Sequence, residues 1–423
     1  MTPSENDLRV VVVGGGVIGV SCAYFLSRAG ANVTLLERGP IAGEASFGNA
    51  GTVSPGHPPL NRPGRVREGL SRMFDPASPL HVPPRWDPDL WRWLAAFARN
   101  CTHEAVTRSM EVLAPMGHRT LALFEQIVAE ENIACGYRPN GYYHVCATEA
   151  GFEAACREAD LIRPHGYAPE TLGPDELRRR EPALTPGVVG GVFYPDAVTV
   201  DPLAFTRGLA EAAVRHGTHV REGAEVVDVH VRGGRAVGVT LVDGAFEPAD
   251  AVVLATGPFS LELAGRVGVR LPVQPGKGYH KDIPVGPGGA PALEIACVLH
   301  ESSVFCTPLE GRLRLAGTME FSGWNDTLRP ERLEQLSRSA QRAFSAFGGA
   351  APVSEWAGLR PVSADGLPFV GPVPEMPGAW IATGHGMLGL TLGPVTGELV
   401  ARGVVADVSL PESLAPTRDR LHS

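Results

Sequence analysis

Hydrophobic periodicity switches between two and 3.6 residues along this 423-residue chain, most sharply in its first forty positions. Val10 to Val13 form a β-branched run too short for a buried helix, which predicts a strand covered on both faces. From Val17 to Arg28 apolar residues recur at helical spacing, with Ile18, Cys22, Phe25 and Leu26 on one side. Gly30 stops that helix, and Asn32 to Glu37 predicts a second buried strand.

Further along, Leu90, Trp93, Leu94 and Phe97 mark a helix whose apolar side faces a core, and a long helix follows from about Thr107 to Glu131. Tyr137 to Ala147 predicts a strand pair turning at Asn140-Gly141. Glu149–His165 and Gly173–Arg180 predict helices, and Val188–Tyr194 a strand. Asp201-Pro202 caps and opens a helix through Arg215. Three strands are expected over His219–Val231, Ala236–Val242 and Ala251–Ala255, the first two forming a hairpin. Leu271–Ile283 and Ser303–Met319 alternate as antiparallel strands do. A helix over Pro330–Phe347, the strand AWIATG and a last helix after GHGMLGLTLGP complete the pattern. Asn61–Asp89 predicts an irregular crossover, and the polar tail after Pro411 predicts disorder.

The chemistry begins at the first strand–helix junction. Gly14, Gly16 and Gly19 have GxGxxG spacing. Gly14 suits a tight turn, Gly16 lets a pyrophosphate approach, and Gly19 allows close helix–strand packing. The amides and dipole of the helix start, Val17 and Ile18 included, suit an anion. Glu37 ends the second strand, where a ribose-binding acid belongs. The set points to dinucleotide binding, with a glycine-rich packing turn as the alternative.

Composition narrows the class. A formal charge of −9 gives no footprint for nucleic acid. Seven cysteines with no CxxC pair point to reduced thiols in a cytoplasmic compartment. The N-terminus lacks a signal-peptide pattern, and no apolar run reaches membrane-spanning length. No conventional metal site and no Ser-His-Asp set is recognisable, so no metal is expected.

Several stretches then combine in order: VVVVGGGVIG, GEASFGNAGTVSPG, DAVTVDPLAF, AVVLATG, PVQPGKGY, GLRPVSADGLPFVG and TGHGMLGLTLGP. Together they resemble the FAD-dependent oxidoreductases of the D-amino-acid oxidase superfamily, above all the bacterial D-amino-acid dehydrogenase branch. The resemblance implies an α/β fold with a Rossmann-like FAD-binding domain (1–60, 185–260 and 350–423). Interleaved with it would be a smaller α+β substrate domain (61–184 and 261–349) on a mixed, largely antiparallel sheet. It also implies non-covalent FAD, since Gly358 stands where a related branch has a flavin-linked cysteine.

Carried over by position, the resemblance assigns the FAD pyrophosphate to Gly14, Gly16 and Gly19, and the adenosine ribose and its surroundings to Glu37 and Arg38. Ser46, Asn49, Ala50 and Gly51 would run beside the flavin, Val226 would contact adenine, and Thr256 and Gly257 would lie under the pyrophosphate. Gly386, Leu388, Gly389, Leu390 and Thr391 would face the flavin pyrimidine. Arg360 in the GLRP motif would clamp a substrate carboxylate, a role that a planar guanidinium suits; an internal salt bridge is its alternative. Tyr279, His57, His300 and His385 are further catalytic candidates, although a histidine in apolar surroundings is commonly structural. Arg314 is the nearest match to a lysine that assists oxygen in oxidase relatives.

The implied reaction is oxidative deamination of a D-amino acid, or a D-proline-type secondary amine, by hydride transfer from Cα to flavin N5. An imine and then a 2-oxo acid would result. Electrons would pass to a quinone, another carrier or oxygen, not to NAD. The alternatives are a glycine- or sarcosine-type oxidase producing hydrogen peroxide, an NAD-dependent dehydrogenase, and a non-catalytic flavin-binding subunit. A cytoplasmic location leaves room for peripheral contact with the inner face of a membrane.

Overall fold

The computed structural model describes residues 8–57, 60–67 and 78–418. Part of the Asn61–Asp89 crossover and the extreme C-terminus therefore lie outside the described residues.

The valine run forms strand β1 (Arg9–Val13), followed by helix α1 (Val17–Arg28) and strand β2 (Asn32–Glu37), as the hydrophobic pattern predicts. β1 is the centre of a six-stranded sheet in the order 369–372, 379–383, 251–254, 9–13, 32–37, 219–222. All pairings are parallel except that of Phe369–Pro372 with Ala379–Thr383. Val10 to Val13 are buried on both faces, which is why the run carries no polar alternation. Helix α1 packs against the last helix, Gly389–Ala406, through glycines. A Cβ at Gly397 would stand 2.4 Å from the Ser21 carbonyl oxygen, so only a bare backbone allows that approach.

A second, nine-stranded sheet is largely antiparallel. Its main order is 354–363, 273–284, 312–320, 304–309, 296–299, 142–146, 190–194, 170–172, and Leu80–His81 pairs beside 312–320. The α/β architecture of a parallel sheet plus a mixed sheet is thus present. Strands Gly190–Tyr194 and Ser354–Ser363 belong to the second sheet, although both fall within the segments expected for FAD. We propose that the lobe boundaries fall after Tyr194 and after Ser363.

Three local expectations need correction. Asn140-Gly141 turns no hairpin: Tyr142–Cys146 pairs with Gly190–Tyr194 and Ala296–Leu299, and Arg138 bridges to Thr199. The stretch His219–Val231 is two strands, broken where Gly223 takes a φ of +70°. His219–Glu222 joins the six-stranded sheet, while Val226–Arg232 forms the hairpin with Arg235–Leu241. The segment after Pro411 is ordered as far as Arg418. That guanidinium pairs with Asp365, donates to the Leu367 and Pro368 carbonyls and lies 3.5 Å from the Phe369 ring centroid. The rest of the tail lies outside the described residues.

Candidate active site

One cavity of about 420 Å³ runs from the β1–α1 turn to the inner face of the second sheet. At its nucleotide end Gly14 has a φ of +109°, and a Cβ there would stand 2.5 Å from the Ala255 carbonyl oxygen. Gly19 does not line the cavity. Its hypothetical Cβ would be 1.8 Å from the Gly14 carbonyl, so it serves the close helix–strand packing expected of it. Ser46 accepts from the Val17 amide, and Glu37 accepts from the Gly15 and Gly39 amides at 2.6 and 2.8 Å. Glu37 therefore fixes the turn as well as facing the cavity.

Gly14, Gly16, Val17, Ile18, Glu37 and Arg38 all line this end, as do Val226, Thr256 and Gly257. Arg38 lies 3.9 Å from the Phe259 ring centroid. Farther in, the wall is made by Ser46, Asn49 and Ala50, and on another side by Gly386, Leu388, Gly389 and Leu390. A Cβ at Gly257, Gly386 or Gly389 would meet nothing within 4 Å, so three bare backbone positions face open space.

Gly51 and Thr391 do not line the cavity. The Gly51 amide donates to Asn49 Oδ1, and Thr391 Oγ1 accepts from the Ser54 amide. Both act behind the wall, on the loop that carries Ser46 to Ser54. Arg314 holds the same loop. It forms a bidentate pair with Asp282 at 2.8 and 2.9 Å and donates to the Phe47 and Asn49 carbonyls. Burial works against the Asp282 charge, but the Arg314 hydrogen bonds keep its carboxyl below the usual range. Arg314 is thus placed as a structural cation.

At the opposite end Arg360 lines the cavity with Thr318 and Met319. Its Nη1 donates to the Thr318 carbonyl at 2.8 Å, and no carboxylate pairs with it among the described residues. Burial pushes its pKa down to about 10, which leaves it charged at neutral pH. The pairing of Val273–Pro284 with Arg312–Glu320 shifts register opposite Thr318, whose φ is +68°, and the irregularity turns that carbonyl toward Arg360. Among the described residues Arg360 therefore forms no internal salt bridge.

Tyr279 requires correction. Strand Val273–Pro284 does run beside the Arg360 strand, with Gly276 opposite Arg360 and Gly278 opposite Gly358. Side chains alternate across a strand, so Gly276 and Gly278 share the face of Arg360 and Tyr279 points the other way. It is fully buried, 3.3 Å from Glu320 Oε2, and lies outside the cavity lining.

His57, His300 and His385 all line the cavity. Burial, helped by Arg62 and Arg65, pushes His57 down to about 4, and burial alone pushes His385 down to about 3. Both are neutral at pH 7. His385 Nε2 lies 3.0 Å from Thr396 Oγ1. His144 and Glu158 are among the lining residues to which the sequence did not point. His144 is buried with neither ring nitrogen hydrogen-bonded, and Glu158 pairs with Arg62. Their ligand atoms and one from His300 lie within 4.8 Å of one another, a grouping with metal-binding potential where none was expected. His144 sits in an apolar strand and Glu158 on a helix, and nothing in their spacing announces a shared site.

The family profile described as "FAD dependent oxidoreductase" matches residues 9–402. The chain belongs to that family. It is 37% identical over 400 residues to a D-amino acid dehydrogenase of Methylobacterium nodulans, covering 93% of this chain and 94% of that one. To a D-amino acid dehydrogenase of Cereibacter sphaeroides it is 35% identical over 425 residues, covering 97% of each. Its fold is similar to that of glycine oxidase from Bacillus cereus, with a TM-score of 0.74 and 24% identity over 95% of this chain and 96% of that one. L-proline dehydrogenase from P. horikoshii gives a TM-score of 0.76 at 19% identity over 99% of both chains.

This FAD-dependent oxidoreductase has surroundings that fit its cofactor. A turn with no side chain at Gly14 and Gly16 precedes a helix N-terminus, as a pyrophosphate requires. The bare positions at Gly257, Gly386 and Gly389 let flat or anionic groups lie against backbone. Gly358 could not be enlarged freely, since a Cβ there would be 2.0 Å from the Trp356 ring. Among the described residues no helix is long and apolar enough to cross a membrane.

Proposed function

We propose that this flavoprotein oxidises a D-amino acid, or a secondary amine of the D-proline type, to an imine and thence a 2-oxo acid. The observation that carries the reading is Arg360: a half-buried guanidinium, with no carboxylate paired to it among the described residues, in the same cavity as the dinucleotide turn. A half-desolvated cation without a counter-charge is costly, and a substrate carboxylate would supply the missing charge. The names of the relatives at 35–37% identity support a D-amino acid and a dehydrogenase.

In this reading FAD is held non-covalently by Gly14, Gly16, the Val17 and Ile18 end of α1, Glu37 and Val226. Ser46 to Ala50 and Gly386 to Leu390 flank its ring. Bound FAD supplies the hydride acceptor. The chain's own task is then positioning. Arg360 takes the carboxylate through the donors that Thr318 leaves free, which fixes the direction of the Cα–H bond.

His57 is a weak proton acceptor here. Its pKa of about 4 lies several units below that of an aliphatic amine, so taking the ammonium proton would be steeply uphill. The amine accordingly enters neutral, its proton left in solvent. Arg62 and Arg65, on the same cavity wall, add to the disfavour of an ammonium.

Electrons would leave to an acceptor other than NAD, a quinone or another carrier. Arg314, locked on Asp282, is not placed to assist oxygen, which favours this over the oxidase reading. Peripheral membrane contact belongs to the same proposal. Exposed Trp86 and Trp91, at the start of helix Pro88–Arg99, are the side chains that support it.

The test is anaerobic mixing of the FAD-loaded protein with matched D- and L-amino acids, proline included, while the flavin absorbance is followed. Bleaching by D-enantiomers is expected. Bleaching by L-enantiomers alone, or by none, would remove the proposal.

A further inference from the structure

We propose that His144, His300 and Glu158 form a binding site for one borderline transition-metal ion of the Zn²⁺ class, with its remaining coordination positions open to the cavity. The inference does not depend on which amine the enzyme oxidises.

Three rigid elements bring the residues together. His144 lies on strand Tyr142–Cys146, and His300 directly follows strand Ala296–Leu299, which pairs in parallel with it. Val298 is opposite His144, so His300 sits two positions on, on the same face of the sheet, and the two ring centroids are 5.6 Å apart. The His300 amide donates to the Val145 carbonyl at 3.0 Å, which ties the residue to the sheet end. Glu158 projects from helix Glu149–Ile162, which packs on that sheet. One ligand atom from each lies within 4.8 Å of the others. Donors around a tetrahedral zinc stand about 3.3 Å apart, as bonds of about 2.0–2.1 Å require, so small side-chain rotations close the set.

The second observation is the condition of His144. It is 3% exposed, lines the cavity, and has no hydrogen-bond partner at Nδ1 or Nε2. Buried polar atoms are nearly always satisfied, so an imidazole with both nitrogens unanswered signals a missing ligand. Two imidazoles and one carboxylate favour zinc and its neighbours over magnesium or calcium, which prefer oxygen. Arg62 pairs with Glu158 Oε1 and so fixes the carboxylate, as an outer-shell partner does. Its positive charge opposes a dication, so binding should be reversible and removable by chelators.

The test uses the full-length, FAD-loaded protein, stripped with a chelator and titrated calorimetrically with zinc sulfate, with metal content measured after gel filtration. One Zn²⁺ per chain is expected. His144→Gln and Glu158→Gln remove ligands and should each weaken it by at least the roughly 10-fold that loss of an outer-shell partner costs. His219→Gln, an exposed histidine elsewhere, should not. Flavin content and thermal midpoint report whether each variant folds; if His144→Gln does not, His300→Ala, at the sheet end, takes its place. No stoichiometric zinc in the wild type, or equal affinity in the site variants, would overturn the proposal and assign water to the His144 nitrogens.

Discussion

Arg360 and Gly278 lie on adjacent antiparallel strands, and a Cβ at position 278 would stand 2.0 Å from Arg360 Nη2. The glycine is therefore the space in which the guanidinium rests. Gly278→Ala should displace the guanidinium without touching the nucleotide end of the cavity. Losing one charge-assisted hydrogen bond of about 1.5–3 kcal/mol raises KM by roughly 10-fold or more. Steady-state kinetics with an artificial electron acceptor, together with unchanged flavin content, check this. An unaltered KM would show that the guanidinium is held elsewhere.

The pH dependence of kcat/KM follows from the neutral histidines. His57 near 4 and His385 near 3 do not titrate between pH 5 and 8. The rise of kcat/KM with pH should therefore follow the substrate amine and move with it when substrates of different amine pKa are compared. A fixed inflection between pH 6 and 7, lost in His57→Gln, would return a histidine to the role of base.

Asp282 anchors Arg314, and through it the loop at Phe47 and Asn49. Asp282→Asn leaves a buried guanidinium without its counter-charge, a change that costs about 3–5 kcal/mol. The thermal midpoint should fall and FAD should dissociate more readily, which fluorescence of released flavin measures. Asp282→Glu should recover part of both.

Three buried histidines and the half-buried His57 also set the acid limit of stability. His57, His280 and His385 are pushed to about 4, 4 and 3, and His144 well below its ordinary value, in each case first by burial. The unfolded chain binds protons at these sites near pH 6.5 while the folded chain does not, so stability is full above 6.5 and falls as pH drops. Each group contributes about 1.4 kcal/mol per pH unit over that interval. Denaturant unfolding at pH 7 and pH 5 should show the loss, and His385→Gln should reduce its slope. A slope unchanged in that variant would contradict the assignment.

The βαβ unit was legible in the sequence because every part of it is local. The valine run, the glycine turn, the helix and Glu37 are contiguous, and each imposes its own conformation. Arg360 was legible through its motif, although only the structure shows it unpaired. Tyr279 was misplaced because Gly276 and Gly278 carry no side chains to reveal which face of their strand meets the cavity. Asn140-Gly141 has the composition of a hairpin turn, yet the partners of the following strand lie some fifty and a hundred and fifty residues onward. His144, Glu158 and Arg62 meet only through those long-range pairings, so no spacing rule could have joined them. Arg418, read as part of a loose tail, is fixed by Asp365 and Phe369, both distant in sequence.

The most direct measurement is an anaerobic titration of flavin reduction by a D-amino acid in the wild type and in Arg360→Ala. Two charge-assisted hydrogen bonds to a carboxylate are worth about 3–6 kcal/mol together. Half-saturation should accordingly rise by roughly 100-fold or more while the variant remains yellow. Equal half-saturation in the two proteins would contradict the account.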